Sequence, residues 1–301
     1  MKAGVIGYPL AHSVSPQFQQ PAFDHLGLDV TYRAYETPPE ALGAFVAGLR
    51  DEKWLGCNVT IPHKRAIVKL MDTVSEEARL IGAVNTVVKE AGGRLAGHNT
   101  DSAGFLRALV EDAGFDPRGK TAVLLGAGGA APAVAVALLR AGAGRLWIAN
   151  RTPARAESLA RALAAHFDAR RLDTSPLDEA ALRRPLAEAT LLVNSTSVGM
   201  AHGPVPDGSP VPAELLGPHL LVYDLVYNPA RTPLLQAAAT RVARTQEGLP
   251  MLIYQGARSF EQWTGQTAPV AIMMEHGRRA LAAREGASSG LRVPSSESGP
   301  G

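Results

Sequence analysis

The chain has 301 residues, enough for two ordinary domains or one large one. Hydrophobic residues make up 46% and charged residues 19%, the balance of a soluble globular protein, and a net charge of +2 gives no electrostatic case for a nucleic-acid partner. The single cysteine, Cys57, excludes a disulfide within the chain and argues against a thiolate metal cluster.

At the N-terminus, Ala3–Ile6 is an apolar stretch broken by Gly7 and Pro9. It is too short for a signal-peptide core and reads as a buried first strand. No apolar run approaches the roughly 18–20 residues that a membrane span needs. A cytoplasmic protein with no membrane partner is expected. A helix over Gln17–Leu26 follows, with Ser15 as N-cap and Pro16 in its first turn. Next come a strand at Val30–Tyr35, a helix at Glu40–Leu49, a strand at Leu55–Thr60 and a helix at Lys64–Met71. Val84–Val88 and Arg94–Asn99 pair as a hairpin around Gly92-Gly93. This alternation implies a largely parallel α/β sheet.

A helix from Ser102 to about Gly114 leads into a second unit of the same type. Its strands are Thr121–Leu125, Arg145–Ala149, Thr190–Asn194 and Leu220–Val226; its helices are Ala130–Arg140, Ala154–His166 and Pro233–Thr240. Two helices, about Met251–Trp263 and Val270–Arg284, close the folded part. From residue 286 the composition turns to Gly, Ser and Pro, and a disordered tail over 286–301 is expected. The expected fold is thus two α/β domains around a cleft. The first comprises 1–101 completed by 250–285. The second, 102–249, is a Rossmann-type doubly wound dinucleotide-binding domain.

The cofactor reading rests on two places. Gly126-Ala127-Gly128-Gly129-Ala130-Ala131 follows a strand and opens a helix, as the G-x-G-x-x-G/A fingerprint requires. Gly126 permits the tight turn, Gly128 lets the backbone approach a pyrophosphate, and Ala131 is small where helix meets strand. The helix N-terminus then offers N–H groups to the phosphates. At the end of the next strand stands Asn150-Arg151-Thr152, with Arg155 one turn on. An acid there would bind the ribose hydroxyls of NAD. A guanidinium instead suits a 2′-phosphate through paired charge-assisted hydrogen bonds, so NADP is expected.

Four polar clusters mark turns and strand ends in the first unit. Ser13 and Ser15, just before a helix, suit a carboxylate, although Ser15 alone could be a plain N-cap. Asn58 to Lys64 ends a strand and starts a helix, where a lysine opposes the helix dipole. The others are Gly82 to Thr86 and Gly97 to Asp101; Asp101 alone could cap the following helix.

In this order and at these spacings the clusters resemble shikimate dehydrogenase. The matching pieces include Gly7 to Pro16, Asn58 to Lys64, Gly82 to Thr86, Asn99-Thr100-Asp101, Gly126 to Ala131, Asn150-Arg151-Thr152, Asn194 to Met200, Asp224 to Pro229 and Gln255-Gly256. The resemblance runs from about residue 4 to about 282. It implies that Ser13 and Ser15 bind the substrate carboxylate, that Thr60, Asn85, Asp101 and Gln255 hold ring hydroxyls, and that Tyr227 lies close to the substrate. Lys64 and Asp101 would be the catalytic pair. Leu225 and Gly248 would line the nicotinamide side. Asn150, Arg151, Thr152 and Arg155 would hold the adenosine end, and Gly126, Ala127, Gly128, Gly129 and Ala130 the phosphates.

The implied activity is NADPH-dependent reduction of 3-dehydroshikimate to shikimate, without a metal. Hydride transfer to a ketone builds negative charge on oxygen, which needs a proton donor or an electrostatic stabiliser; for Lys64 both roles stay open. Alternatives are a quinate/shikimate dehydrogenase of broader specificity, a catalytically silent NADP-binding regulator and a methylene-tetrahydrofolate dehydrogenase. Monomer and homodimer are equally open.

Two positions depart from the family pattern. Gln19-Gln20 stand where the family often carries His-Asn, and Pro132 stands where an arginine is common. Proline is tolerated in a first helical turn, so the fold survives and one phosphate-side contact is lost. Cys57, Trp147 and Trp263 read as packing residues, and Tyr254 fits either packing or substrate contact.

Overall fold

The computed structural model describes residues 1–11 and 13–289. His12 of the first polar cluster and residues 290–301 of the expected tail lie outside the described residues.

The first sheet is built from β1 (Lys2–Gly7), β2 (Thr31–Glu36), β3 (Gly56–Val59), β4 (Thr73–Val74), β5 (Thr86–Lys89) and β6 (Leu95–His98), in the order β2-β1-β3-β5-β6-β4. It is largely parallel, and among the described strands only β5 runs against the rest. β1 pairs parallel with β2 and β3, while β5 runs antiparallel to both β3 and β6. The expected hairpin imposes this, because a tight connection cannot return a strand in parallel. Around this sheet lie α1 (Ser15–His25), α2 (Leu42–Gly48) and α3 (Glu76–Ile81).

α4 (Asp101–Arg107), continued by a π-helical turn over Ala108–Asp112, carries the chain into the second unit. There β7 (Thr121–Leu125), α5 (Ala131–Arg140), β8 (Arg145–Asn150), α6 (Pro153–Ala164), β9 (Leu172–Pro176), α7 (Glu179–Glu188), β10 (Leu191–Asn194), β11 (Leu221–Asp224), α8 (Pro233–Thr240) and β12 (Arg244–Gln246) alternate. All six strands are parallel, in the order β12-β11-β10-β7-β8-β9. This is the doubly wound order, and its switch point lies between β7 and β10, where a crevice opens at the strands' C-terminal ends. β7 is apolar on both faces, with Val123, Leu124 and Leu125 all buried, as a central parallel strand must be. Six of the ten residues of α5 are alanine or valine, and it is buried from Ala133 to Leu139, which lets it lie close against the sheet.

α9 (Leu249–Thr264) and α10 (Val270–Ser289) return to the first unit. α9 is buried on two sides. Leu249, Ile253 and Phe260 pack with Phe18 and Phe23 of α1, while Met251 and Tyr254 join the core around α4 and α5. Gly104 makes the α4–α9 crossing possible, since a Cβ there would stand 2.7 Å from the Gln255 nitrogen and 2.9 Å from the Met251 oxygen. Phe105 of α4 stacks on Tyr223 of β11 at 5.1 Å, within a core cluster that spans the seam between the two units.

Several expectations fail locally. Lys64–Met71 is not an α-helix: turns over 61–65 lead to a 3-10 helix at Ala66–Leu70. The β-branched pair Ile67-Val68 and the short run leave only this tighter winding. Lys64 therefore opposes no α-helix dipole, and that reason for singling it out lapses. Ser15 is not an N-cap but the first residue of α1; the cap position is Val14, and the Ser13 hydroxyl accepts from the Ser15 N–H at 3.3 Å. β4, α3, β9, α7 and β12 were not expected. All but α7 are short, and α3 and α7 start on the side-chain caps Ser75 and Asp178. α10 runs to Ser289, past the expected boundary near 285. No described helix is long and apolar enough to cross a membrane.

Candidate active site

A cavity of about 420 Å³ opens between the two sheets. Ser13, Ser15, Thr60, Lys64, Asn85, Asp101, Tyr227 and Gln255, the residues singled out for the substrate, all line it. So do Ala130, Leu225 and Gly248 from the cofactor set.

Lys64 and Asp101 meet at its floor, with Nζ 2.5 Å from Oδ2. Their side chains are 20% and 8% exposed, so the pair is shielded from bulk water but open to the cleft. Lys64 leaves the turn after β3, whose neighbouring His63 is buried with Nε2 2.6 Å from the Thr37 carbonyl. Asp101 begins α4 and does not cap it; Thr100 holds the cap position without a side-chain bond. The aspartate is turned inward instead, and its second oxygen accepts from Asn85 Nδ2 at 2.8 Å.

Asn85 is the hub of this floor. Its Oδ1 accepts from the Thr100 N–H at 2.8 Å, which fixes the orientation of the amide. Nδ2 is thereby aimed at Asp101 and, at 3.2 Å, at Gln255 Oε1. Behind it lies a buried polar layer. Tyr32 donates to Asn58 Oδ1 at 2.8 Å, Asn58 Nδ2 donates to Ser259 Oγ at 2.9 Å, and Ser259 Oγ lies 2.8 Å from Thr86 Oγ1. Buried groups of this kind must be paired, and the network locks α9 and Gln255 to β3 and β5. Asn58 and Thr86 had a signal, being polar residues at interior positions of short apolar strands. Ser259 had none.

Gln19, a departure from the family pattern, is buried on α1, and its Nε2 donates to the Gly256 carbonyl at 2.9 Å. It helps seat α9 and stays out of the cleft lining. Cys57 is buried, and burial pushes its thiol up, as suits a core residue without a partner base. Trp263 donates to the Val87 carbonyl at 2.9 Å within the core, and Tyr254 donates to Asp112 Oδ1 at 3.0 Å, outside the cavity lining.

On the far wall, Gly126 has φ +99°, and a Cβ there would meet Ser195 Oγ at 2.9 Å; only glycine makes this turn next to β10. The Ala127 N–H donates to Asn150 Oδ1 at 3.1 Å, tying the loop to the end of β8. No atom lies within 4 Å of a Cβ built on Gly128 or Gly129, so this face of the loop is open to a ligand. Gly248 serves a different end: a Cβ there would stand 2.5 Å from the Leu225 carbonyl, so the start of α9 presses directly on the end of β11. Arg151, Thr152 and Arg155 are exposed and lie outside the cavity lining, at the outer end of the groove. Among the described residues neither arginine has an ion-pair partner, which leaves both guanidiniums available to an anion. These residues fit a phosphorylated dinucleotide laid from β8 to Leu225.

Asp224, just before Leu225, is buried and pushed up to about 6 by burial, against hydrogen bonds from Thr232 at 2.6 Å, the Val226 N–H and Asn194. Between the ordinary value of 3.8 and about 6 the folded chain holds a proton that the unfolded chain has lost. This contribution to stability is therefore complete below that window and lost as pH rises through it. The stability of the wild type relative to Asp224→Asn is expected to fall by roughly 2 kcal/mol from about pH 4 to about pH 7, measured by urea denaturation. A relative stability that rises over this range would refute the assignment.

Three family models match the chain: the shikimate dehydrogenase substrate binding domain over residues 5–87, shikimate / quinate 5-dehydrogenase over 109–200, and the shikimate 5'-dehydrogenase C-terminal domain over 248–276. Shikimate dehydrogenase (NADP(+)) of Methanopyrus kandleri is 48% identical over 273 residues, 90% of this chain and 93% of its own length. The enzyme of the same name from Moorella thermoacetica is 48% identical over 283 residues, 94% of each chain. The crystal structure of shikimate 5-dehydrogenase from Thermus thermophilus, in complex with NADP(H) and shikimate, is 43% identical with a TM-score of 0.83, covering 93% of this chain and 100% of that one.

Proposed function

The chain belongs to the shikimate dehydrogenase family, and from that premise we propose that it reduces 3-dehydroshikimate to shikimate with NADPH, reversibly, in the cleft between its two sheets. It is an NADP-dependent oxidoreductase of aromatic amino-acid biosynthesis. The observation that carries the catalytic reading is the Lys64–Asp101 pair at 2.5 Å, on the cavity floor and within the same lining as Leu225 and Gly248.

Bound NADPH supplies the hydride. The residues of the chain do the rest. An ammonium has three N–H donors. One of those on Lys64 is engaged by Asp101 Oδ2, which leaves two for the substrate oxygen. As negative charge builds on that oxygen, Lys64 Nζ stabilises it and gives up a proton to it; in the reverse direction the neutral amine takes the proton back. Asp101 holds Nζ in place and, through its link to Asn85, joins the ring-binding set. Asn85, Gln255 and Thr60 present amides and a hydroxyl to the ring hydroxyls. Ser13 and Ser15 take the carboxylate at the other end, with Tyr227 close to the substrate. Leu225, Gly248 and Met251 give the nicotinamide side an apolar, water-poor wall. Gly126, Ala127, Gly128, Gly129 and Ala130 cradle the pyrophosphate. Asn150, Arg151, Thr152 and Arg155 hold the adenosine 2′-phosphate end. A cytoplasmic location belongs to the same reading, supported by the single, buried thiol.

The test is a steady-state comparison of shikimate and quinate, each with NADP+ and NAD+, followed by absorbance of the reduced cofactor. The highest kcat/KM is expected for shikimate with NADP+. Equal use of quinate would replace the substrate assignment by the broader one. Absence of turnover with NADP binding intact would make the chain a cofactor-binding regulator.

A further inference from the structure

Among the described residues lining the cleft, Lys64 and Asp101 are the only charged side chains, and they neutralise one another. The hydroxyls of Ser13, Ser15 and Tyr227 donate hydrogen bonds but carry no charge. An anionic substrate that enters such a site loses its hydration and meets no net positive charge in the lining, which is a costly way to bind a carboxylate. A cation stands just outside this lining. Arg284, near the end of α10, donates from its guanidinium to the Ser13 carbonyl at 3.1 Å and to the Ala11 carbonyl at 3.5 Å. It also lies close enough to Tyr227 to oppose the rise that burial imposes on that phenol. Arg284 thus touches the backbone of one carboxylate-binding residue and acts electrostatically on Tyr227 of the cleft lining. It is half-buried, so its field is screened less than that of a free surface arginine. The same loop carries an opposing charge on its other side, where Glu36 Oε2 accepts from the Leu10 N–H at 3.4 Å.

We propose that Arg284 is a positioning residue for the substrate carboxylate, holding the Ser13–Ser15 loop by its backbone and supplying the positive charge that the lining lacks. The proposal rests on the reading that Ser13 and Ser15 bind the carboxylate. It assigns the end of α10, distant in sequence from every motif, a part in substrate selection. A dianionic or monoanionic ring acid is favoured over a neutral polyol of the same shape by this charge, independently of the hydroxyl pattern that Asn85 and Gln255 read.

The experiment uses the full-length enzyme and the variants Arg284→Gln, Arg284→Lys, Ser13→Ala and Ser15→Ala, with KM and kcat for shikimate and KM for NADP+ measured at low and high salt. Arg284→Gln is expected to raise KM for shikimate about 10-fold, while kcat and KM for NADP+ change less than about 2-fold. Arg284→Lys restores most of the affinity, because the charge and one donor remain. Wild-type kcat/KM for shikimate falls as ionic strength rises beyond about 0.1 M, and this slope flattens in Arg284→Gln but not in Arg284→Lys. A merely structural role would move neither the salt slope nor the Lys–Gln difference. An unchanged KM in Arg284→Gln, or equal losses in Gln and Lys with an unchanged slope, overturns the proposal while leaving the serine reading intact. If Ser13→Ala and Ser15→Ala both leave KM for shikimate unaltered, the carboxylate reading falls and this inference with it.

Discussion

Replacing Lys64 with alanine is expected to lower kcat by about 10²–10⁴-fold, the usual share of a positioned proton donor, while KM for shikimate changes less than about 10-fold. The asymmetry follows from the geometry. In the proposed reading, ground-state affinity is spread over Ser13, Ser15, Tyr227, Thr60, Asn85 and Gln255, which line the cavity apart from the Lys64 side chain. Asp101 also stays oriented in the variant, because Asn85 Nδ2 still donates to Oδ1 at 2.8 Å and the Thr100 N–H still fixes the Asn85 amide. What disappears is the one cationic donor among the described residues of the cavity lining, whose contribution in the proposed mechanism is largest when charge has developed on the substrate oxygen. Steady-state kinetics in both directions at several pH values test this. A Lys64→Ala enzyme with turnover near that of the wild type would remove the lysine from the chemistry.

Arg151→Ala is expected to raise KM for NADPH by about 10–100-fold, equivalent to the roughly 1.5–3 kcal/mol of a hydrogen bond to a charged group. KM for the keto-acid should hold within about 2-fold, since Arg151 lies outside the cavity lining. NADH provides the internal control. It lacks the 2′-phosphate, so its weaker use by the wild type should barely change in the variant, and the preference between the two cofactors should narrow by the same factor. The absence of an ion-pair partner for Arg151 among the described residues makes the effect large, because no competing carboxylate neutralises it beforehand. Equal losses with NADPH and NADH would show that the arginine shapes the groove rather than reading the phosphate.

The doubly wound unit was legible because its signals are local. A central parallel strand is apolar on both faces, the loop after it needs glycine at φ +99°, and the next helix must be small to lie close; Thr121–Leu125, Gly126 and the alanines of α5 write this into consecutive residues. The expectation of NADP likewise needed only the residue type at the end of one strand. Failures came where neighbours in space, not in sequence, decide. The helix expected at Lys64–Met71 gave way to a 3-10 turn, and of the five unexpected elements β4, α3, β9 and β12 have two to six residues, too few to show a period. Ser15 and Asp101 looked equally suited to capping, and nothing in the chain around them excluded it.

By itself, then, the sequence determined the fold class, the cofactor and the types of residue that gather at the site, because periodicity, glycine and charge act over a few residues. The tertiary structure decided what those residues do for one another. It turned Asp101 away from its helix end and onto Lys64, aimed the Asn85 amide through the Thr100 N–H, and brought Ser259 from α9 and Arg284 from α10 to a floor and a loop built more than a hundred residues earlier. Such choices rest on burial and on the pairing of polar groups across elements, and those partners exist only once the chain has closed.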